Sequence, residues 1–243
     1  MKYKLTDETM TTNSGIVMHR IECVESFGSV KAGDKGGWIE KEGNLSQNGD
    51  CWVGENAQVY GDARVYGNAQ VYGDARVYGN ARVYGNARVY GNAEVNGNAR
   101  VYGDARVYGD AWVYGNAWVY GNAQVYGNAR VYDNAEVYDN AEVYDNAEVY
   151  DNAEVNGNAQ VYGDAVIGNI NDYIVFKNNW SSGRYFTWTR SNDMWKVGCF
   201  YGTGKELIEK AYKDSKLSGD CYKAYVDLVD KLKEIFEKEQ QKQ

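Results

Sequence analysis

Proline and histidine are almost absent from this chain of 243 residues, which has no proline and one histidine, His19. The lack of proline argues against disordered linkers of the proline-rich kind. One histidine cannot form a three-histidine zinc site, and a two-histidine site would require two chains to share the ligands. We therefore predict neither a metal site nor a cofactor.

Segments that carry a protein to or across a membrane are also missing. No stretch approaches the ~18 apolar residues of a membrane span, and the first residues, MKYKLTDETM, lack the apolar core of a signal peptide. The cysteines are scattered without a C-x-x-C motif, which indicates free thiols in a reducing compartment. We predict a cytoplasmic protein with no membrane partner. The cysteines are Cys23, Cys51, Cys199 and Cys221.

Positive charge is in short supply, with 26 Lys and Arg against 34 Asp and Glu and a formal net charge of -8. A nucleic-acid partner is therefore not expected, because such proteins need a basic footprint. A basic protein partner, or mimicry of the charge of a nucleic acid, stays open. The chain also lacks a phosphate-loop motif despite 28 glycines. The segment GTGKE at 202–206 indicates a turn and a helix N-cap, with an anion site as the alternative.

What the chain has in abundance is a six-residue unit of the pattern V-Y-G-(N/D)-A-x. Its aliphatic anchor recurs every six residues from Val53 to Val161 and then at Ile167, which makes twenty hexads without an insertion or deletion. A fixed short period is typical of repeat architectures, in which each unit buries its apolar side chains only against its neighbours.

The hexad favours a short strand followed by a corner. Six is not a multiple of 3.6, and each unit spends two positions on Gly, Asn or Asp, which are poor in helix interiors. In residues 63–66, strand alternation places the alanine and valine inward and the arginine and tyrosine outward. Gly67 and Asn68 then form the corner. Three strands per turn make a triangular coil in which residue n lies above residue n+18, giving about seven turns.

The corner glycine is replaced at four successive hexads, whereas the residue after it remains asparagine. We therefore expect the Asn/Asp position, rather than the glycine position, to carry most of the unusual backbone dihedral. The replacing residues are Asp133, Asp139, Asp145 and Asp151.

The hexads resemble those of left-handed parallel β-helices, which have an aliphatic anchor and a small residue two places before it. The flanks FGSVKAGDKGGWIEKEGNLS (27–46) and VGCFYGTGKELIEKAY (197–212) resemble the ends of uncharacterised hexapeptide-repeat proteins from bacteria, phages and prophages. The left hand is implied by the resemblance, since crossover rules alone favour the right hand. The expected fold class is mainly β: a left-handed parallel β-helix with an N-terminal β cap and a C-terminal β-β-β-α-α cap.

The expected domains are an N-terminal cap (1–50), the hexapeptide-repeat β-helix (51–169) and a C-terminal α+β cap module (170–243). Strands are predicted at GIVMHRIECV and GGWIE in the first. In the C-terminal cap module, strands are predicted at DYIVF, RYFTWT and MWKVGCF. A helix begins after the capping box at Thr203, and a second begins near 218–220. Its apolar stripe either packs on the three strands or forms an oligomer contact, and the tail EKEQQKQ is expected to fray.

The outward residues before the anchors form three columns, and one of them is ordered by charge. Stacked like charges repel by about 0.8 kcal/mol per neighbouring pair in water, so neither its arginines nor its glutamates are expected to gain from their neighbours. The columns are Trp52, Gln70, Arg88, Arg106, Gln124, Glu142 and Gln160; Gln58, Arg76, Glu94, Trp112, Arg130, Glu148 and Val166; and Arg64, Arg82, Arg100, Trp118, Glu136 and Glu154.

The ordered column is self-complementary, because Arg100 and Glu136 are each eighteen residues from Trp118. A second copy turned antiparallel would bring opposite charges together, which predicts an isologous homodimer. The alternative is that repeat expansion left these charge blocks by chance on a solvated face. The candidate interface residues are Arg64, Arg82, Arg100, Trp112, Trp118, Glu136 and Glu154.

Two further surfaces stand out. Sixteen of the 23 tyrosines follow an anchor. Their stacking is expected to stabilise the sheets by about 0.2–1 kcal/mol per pair, or they form a surface for protein or sugar contact.

The acidic surface is either solvated or binds a basic, nucleic-acid-binding protein. It comprises Asp133, Glu136, Asp139, Glu142, Asp145, Glu148, Asp151 and Glu154.

The leading functional hypothesis is a non-catalytic, self-associating interaction scaffold. The resemblance implies that it is encoded by a phage or prophage and directed at a host protein, with a defence protein as the candidate. Hexapeptide-repeat enzymes are mainly acyltransferases, with a smaller group of zinc carbonic anhydrases, and the resemblance implies a histidine base or histidine ligands for them. No catalytic residue is predicted here. An acyltransferase would need His19 to face a cleft shared between subunits, and a filament-forming protein is the third alternative.

Overall fold

The computed structural model describes residues 1–240 and separates into two compact units, Met1–Ile170 and the part from Asn171 onward. Within these residues, no helix combines the length and the apolar character that crossing a bilayer requires.

The first unit begins with three strands, β1 (Tyr3–Thr11), β2 (Val17–Cys23) and β3 (Lys35–Ile39). β1 pairs antiparallel with β2, and β2 pairs antiparallel with β3. β2 and β3 are the strands that the sequence predicts. β1 was not predicted, because its polar sequence buries only Tyr3 and so shows little of the alternation that signals a strand.

β3 leads directly into the coils. A Cβ atom on Gly37 would lie 2.5 Å from the carbonyl oxygen of Ala57, so the glycine allows β3 to approach the coil backbone closely. Ile39 pairs in parallel with Val59, and Leu45 bridges to Val65. The first turn is therefore two residues longer than the eighteen-residue turns that follow.

The coils consist of twenty two-residue strands, β4 to β23, in three parallel stacks. The register joins residue n to n+18, as in Val71 with Val89. Anchor and alanine side chains are fully buried. The parallel β-solenoid of about seven turns is confirmed, while its hand stays a prediction. The strands are Trp52–Val53, Gln58–Val59, Arg64–Val65, Gln70–Val71, Arg76–Val77, Arg82–Val83, Arg88–Val89, Glu94–Val95, Arg100–Val101, Arg106–Val107, Trp112–Val113, Trp118–Val119, Gln124–Val125, Arg130–Val131, Glu136–Val137, Glu142–Val143, Glu148–Val149, Glu154–Val155, Gln160–Val161 and Val166–Ile167.

The corners correct one expectation. The positive φ angle lies at the glycine position, with 65–71° at the corner glycines from Gly61 to Gly163, and not at the Asn or Asp after it. Where aspartate takes that position, φ is still 54–59°. The aspartates therefore adopt the left-handed conformation themselves, which Asp tolerates better than most side chains.

The second unit has a four-stranded antiparallel sheet, β24 (Tyr173–Lys177), β25 (Tyr185–Thr189), β26 (Met194–Val197) and β27 (Phe200–Gly202), in that spatial order. The prediction of three strands was wrong in one respect. MWKVGCF forms two strands, because the chain turns at Gly198, where φ is 55°.

Two helices follow, α1 (Gly204–Asp214) and α2 (Lys216–Gln240). The predicted capping box is present, with the Glu206 N–H donating to Thr203 Oγ1 at 3.3 Å and the Thr203 N–H donating to Glu206 Oε2 at 2.9 Å. The α2 stripe packs into the core of this unit at Tyr222, Val226 and Val229. Of its other members, Tyr225 and Phe236 are half-buried, whereas Leu228, Leu232 and Ile235 are exposed.

The predicted fraying of EKEQQKQ is not seen over its first half, because α2 continues through Gln240. The last three residues, 241–243, lie outside the described part of the chain.

Candidate interaction surfaces

The charge-ordered column lies in register on the six-stranded stack, and we call it the Trp118 column. Its members pair in parallel in the predicted order, from Arg64 to Glu154. Trp112, also a candidate interface residue, lies elsewhere. It stands between Glu94 and Arg130 on the ten-stranded stack, in what we call the Trp112 column.

The basic end of the Trp118 column is open. The side chains of Arg64 and Arg82 are exposed and form no ion pair or hydrogen bond with the other residues of 1–240. Together with Ser46 they border an open groove of about 320 Å³. Arg100 is different, because its guanidinium carbon lies 4.8 Å from the centroid of the Trp118 ring, where it forms a cation–π contact.

The acidic end of the same column is bonded to the coil before it. The Tyr120 hydroxyl donates to Glu136 at 2.9 Å, and the Tyr138 hydroxyl donates to Glu154 at 3.0 Å. Burial, followed by the hydrogen bond with Glu136, raises the pKa of the Tyr120 phenol. These tyrosine–glutamate hydrogen bonds were not predicted. The repulsion expected between the stacked glutamates stays a prediction. The sequence signal for these hydrogen bonds is a Tyr followed by a Glu sixteen residues later.

The Trp112 column contains a buried charge. Glu94 is 7% exposed, and its carboxylate pairs with Arg76 at 2.6 Å and accepts the Tyr78 hydroxyl at 2.9 Å. Burial and this hydrogen bond raise the pKa of Tyr78 to about 12. Trp112 remains 44% exposed. An open groove of about 460 Å³ lies beside this column, lined by Glu94, Trp112 and Asp110 among others.

The tyrosines after the anchors form the stacks that the period predicts. Most neighbouring rings lie 4.7–5.3 Å apart with planes within 11° of each other, as in Tyr72, Tyr90 and Tyr108. A ring inside a stack uses both faces on its neighbours. The surface therefore shows ring edges and hydroxyl groups, which favours the structural role over stacking of sugars on the tyrosine faces.

A ladder of asparagines along one corner was not predicted. Each side-chain amide donates to the carbonyl oxygen of the next at 3.0–3.2 Å. The signal was present in the sequence, since the same hexad position holds Asn at every eighteenth residue. The members are Asn80, Asn98, Asn116, Asn134 and Asn152.

The predicted acidic surface surrounds the later coils. Its four aspartates occupy corners, and its four glutamates stand in the columns, where each accepts a tyrosine hydroxyl. Residues 111–168 contain nine carboxylates and one arginine, whereas residues 57–110 contain five carboxylates and six arginines. The negative charge of the solenoid is therefore concentrated in one half.

Comparison with known proteins agrees with this architecture. The family model "YdcK Beta solenoid repeat" matches residues 57–73, 69–85, 75–90, 81–97, 87–103, 99–115 and 123–139. A protein of Escherichia coli strain K12, "Uncharacterized acetyltransferase YdcK", is 34% identical over 68 residues. That match covers 25% of this chain and 21% of the relative, so the chain spans about a fifth of the length of the relative. The chain is a hexapeptide-repeat-like β-helix protein.

The one histidine of this β-helix protein lies on strand β2, outside the coils. His19 Nδ1 is 3.2 Å from the backbone oxygen of Thr6 on β1. His19 lines neither of the grooves described above, nor a larger open groove of about 730 Å³ beside Phe27 and Arg88. Within residues 1–240, no three side chains of His, Cys, Asp or Glu are grouped so that they could hold a metal ion.

Proposed function

We propose that this β-helix is a non-catalytic scaffold for protein–protein interaction and that it self-associates through the Trp118 column. The observation that supports this proposal is the order of charge along the column. In an antiparallel pair, Arg100 would face the partner's Glu136, Arg82 would face the partner's Glu154, and the two Trp118 side chains would meet at the centre. An isologous interface requires this kind of self-complementarity.

The open arginines favour such a contact, because Arg82 forms no ion pair with any of the residues that the structure describes. The Glu136 carboxylate can accept further hydrogen bonds beside that of the Tyr120 hydroxyl, since a carboxylate accepts at four positions. The column from Arg64 to Glu154 spans five coil spacings, about 24 Å. A contact made by a single column of side chains is narrow, so we expect it to bury less than the ~1,200 Å² of stable interfaces and to give a dimer of micromolar or weaker affinity.

Sedimentation velocity from micromolar to sub-millimolar concentration tests the dimer. Arg82→Glu and Glu154→Arg should each weaken association, and the double variant should restore it, because both cross-pairs are rebuilt with reversed sign. Trp118→Asp should abolish it. Trp112→Asp is the matched control, with the same residue at the same hexad position in another column. A wild-type protein that stays monomeric throughout, or a double variant that is not restored, overturns the self-association. Species that keep growing with concentration would favour a filament.

The external partner that we propose is a protein with a basic surface, attracted by the acidic coils. The resemblance of the flanks to phage and prophage proteins makes bacterial defence proteins the first class to test. Capture from a bacterial lysate should be lost when the acidic coils are recoded to V-Y-G-N-A-Q. Capture of the same proteins by the recoded chain would contradict the proposal.

The second candidate is an acetyltransferase, which the printed name of the E. coli relative favours. It would require His19 to act as a base in a cleft shared with another subunit. Turnover of acetyl-CoA that is lost in His19→Ala would support this candidate over the scaffold.

A further inference from the structure

One tyrosine stack is interrupted. In the stack beside the Trp112 column, Tyr60 stacks on Tyr78 at 5.0 Å, and Tyr114 stacks on Tyr132 at 4.9 Å. The hexad position between Tyr78 and Tyr114 holds Asn96 instead of tyrosine. The face of Tyr78 toward Tyr114, and the opposing face of Tyr114, contact no other aromatic ring within residues 1–240.

The interruption leaves a space as thick as one planar group. The rings of Tyr78 and Tyr114 are two coil spacings apart, about 10 Å. In the intact stack next to it, the same span holds one further ring, with Tyr102 at 4.9 Å from both Tyr84 and Tyr120. We call the space bounded by Tyr78, Asn96 and Tyr114 the Asn96 slot.

The polar group at the base of the slot is uncommitted. The side-chain amide of Asn96 makes no hydrogen bond with the described residues, although its backbone N–H donates to Val113. Asn156 replaces tyrosine in the same way, but it follows the last ring of its stack, and its amide donates to the Tyr138 hydroxyl at 2.9 Å. The Asn96 slot is therefore bounded by rings on two sides and has a free amide.

The neighbouring tryptophan is affected by the same gap. Tyr102 contacts the Trp118 ring edge-on at 6.4 Å, sixteen residues before it. Asn96 holds the corresponding place before Trp112 and offers no ring. Trp112 is left 44% exposed beside the slot.

The walls of the slot favour a cation. The Tyr78 hydroxyl donates a hydrogen bond to the buried carboxylate of Glu94, which also pairs with Arg76. This hydrogen bond makes the Tyr78 ring richer in electrons and a better partner for a positive charge. Burial raises the pKa of Tyr114 most, the positive charge of Arg130 lowers it, and the two carboxylates of Glu148 and Asp133 raise it. Asn96 is half-exposed, so its amide oxygen can accept a hydrogen bond from a donor that enters the slot, which a neutral apolar ring does not offer.

We propose that the Asn96 slot binds the guanidinium group of an arginine side chain on a partner protein. The guanidinium is planar, stays charged and stacks on aromatic faces, whereas the lysine ammonium is a compact point charge. Stacked between Tyr78 and Tyr114, it would donate to Asn96 Oδ1. This inference rests on the proposed scaffold role and narrows the basic partner to one that presents an arginine, but it uses a different face from the Trp118 dimer.

The slot can be filled without damaging the fold. Asn96→Tyr restores the consensus hexad and completes the stack, so it should bind no guanidinium while keeping or raising the melting temperature. Asn156→Tyr is the matched control, because it makes the same substitution where no slot exists.

The test is a titration with three capped tripeptides, Gly-Arg-Gly, Gly-Lys-Gly and Gly-Phe-Gly, followed by the indole N–H resonance of Trp112, which is assigned by its loss in Trp112→Phe. We expect saturable millimolar binding of the arginine peptide, at least about tenfold weaker for lysine and in Asn96→Tyr, and unchanged in Asn156→Tyr.

Several outcomes would overturn the proposal. They are absence of a saturable shift, equal binding of the lysine peptide, stronger binding of the phenylalanine peptide, and equal binding by Asn96→Tyr. A shift of the Trp112 resonance that appears with rising protein concentration alone, and vanishes in Asn96→Tyr, would mean that the slot binds a second copy of this chain instead of a partner protein. None of these outcomes changes the sedimentation of the Trp118 variants, so failure here is distinct from failure of the dimer.

Discussion

The coils over residues 57–110 and those over residues 133–157 share one backbone but differ in their outward side chains. The earlier coils have glycine corners and exposed arginines without partners, as at Arg64 and Arg82. The later coils have aspartate corners and glutamates that accept tyrosine hydroxyls. The buried valines and alanines are the same in both. The interior therefore maintains the coil, and the outward positions can vary in charge without altering it.

The corner is where this freedom has a cost. Glycine enters the left-handed region without penalty, whereas an aspartate there loses about 1 kcal/mol or more. The later coils offset part of this loss, since Asp139 Oδ2 accepts the backbone N–H of Gly157 at 3.2 Å. The corner aspartates therefore add negative charge to the later coils but make their backbone conformation less favourable than that of glycine corners.

The largest effect should come from changing a corner in the earlier coils. A Cβ on Gly91, where φ is 71°, would lie 3.0 Å from the Gly109 nitrogen. Gly91→Val should lower the free energy of unfolding by about 2–4 kcal/mol, because a β-branched side chain is strained at positive φ. Gly91→Asp should cost only about 1 kcal/mol. Urea unfolding followed by circular dichroism measures both.

Asp139→Gly is the control from the later coils. It removes the strain of one side chain and also the hydrogen bond to Gly157, so its effect should be close to zero. If Gly91→Val were no more harmful than Gly91→Asp, the corner would not require the left-handed conformation in the way described.

The period was sufficient to predict the strand, the corner and the eighteen-residue register, because stacking leaves each anchor only one place to bury itself. It could not decide which corner residue has positive φ, since Gly, Asn and Asp all tolerate it and Asp139 looked like evidence against the glycine position. β1 and the turn at Gly198 lay outside the repeat, where strand signals are short. The hand of the coil, the cap roles and the domain limits stay predictions.

The surface was less predictable than the coil. Columns follow from the register alone, but the bond from Tyr120 to Glu136 depends on how far a tyrosine leans toward the next coil, and a sequence does not show this. The Asn96 slot has a visible signal, the hexad E-V-N-G-N-A. The same letters recur at residues 154–159, where the stack ends and no slot forms, so only the position in the stack distinguishes the two.

The next largest effect concerns alkaline pH. The pKa of Tyr132 is raised to about 12, first by burial and then by Glu148. Because an unfolded tyrosine titrates near 10, the stabilising effect is complete below pH ~10 and is lost as pH rises toward 12. The later coils contain four such tyrosine–glutamate bonds, so they should unfold first on raising the pH.

Tyr132→Phe should therefore shift the alkaline unfolding midpoint to higher pH, as measured by circular dichroism. Tyr66→Phe is the control in the earlier coils, since the Tyr66 hydroxyl makes no hydrogen bond with the described residues. Equal midpoints for the two variants would show that the tyrosine–glutamate bonds do not set the alkaline limit.

The smallest effect should come from single charges in the Trp118 column. Arg82 stands between Arg64 and Arg100 without a counter-ion, and each neighbouring pair repels by about 0.8 kcal/mol at most in water. Arg82→Gln should raise the free energy of unfolding by about 0.5 kcal/mol at low salt, and the gain should disappear at high salt, where the charges are screened. Glu136→Gln should differ, because it relieves repulsion from Glu154 but weakens the acceptor of the Tyr120 hydroxyl. Its gain should be smaller than that of Arg82→Gln, or negative. Urea unfolding of monomeric protein at two salt concentrations measures the change in the free energy of unfolding for both variants. An equal, salt-independent gain for both would contradict the idea that the arginine end lacks side-chain partners while the glutamate end has them.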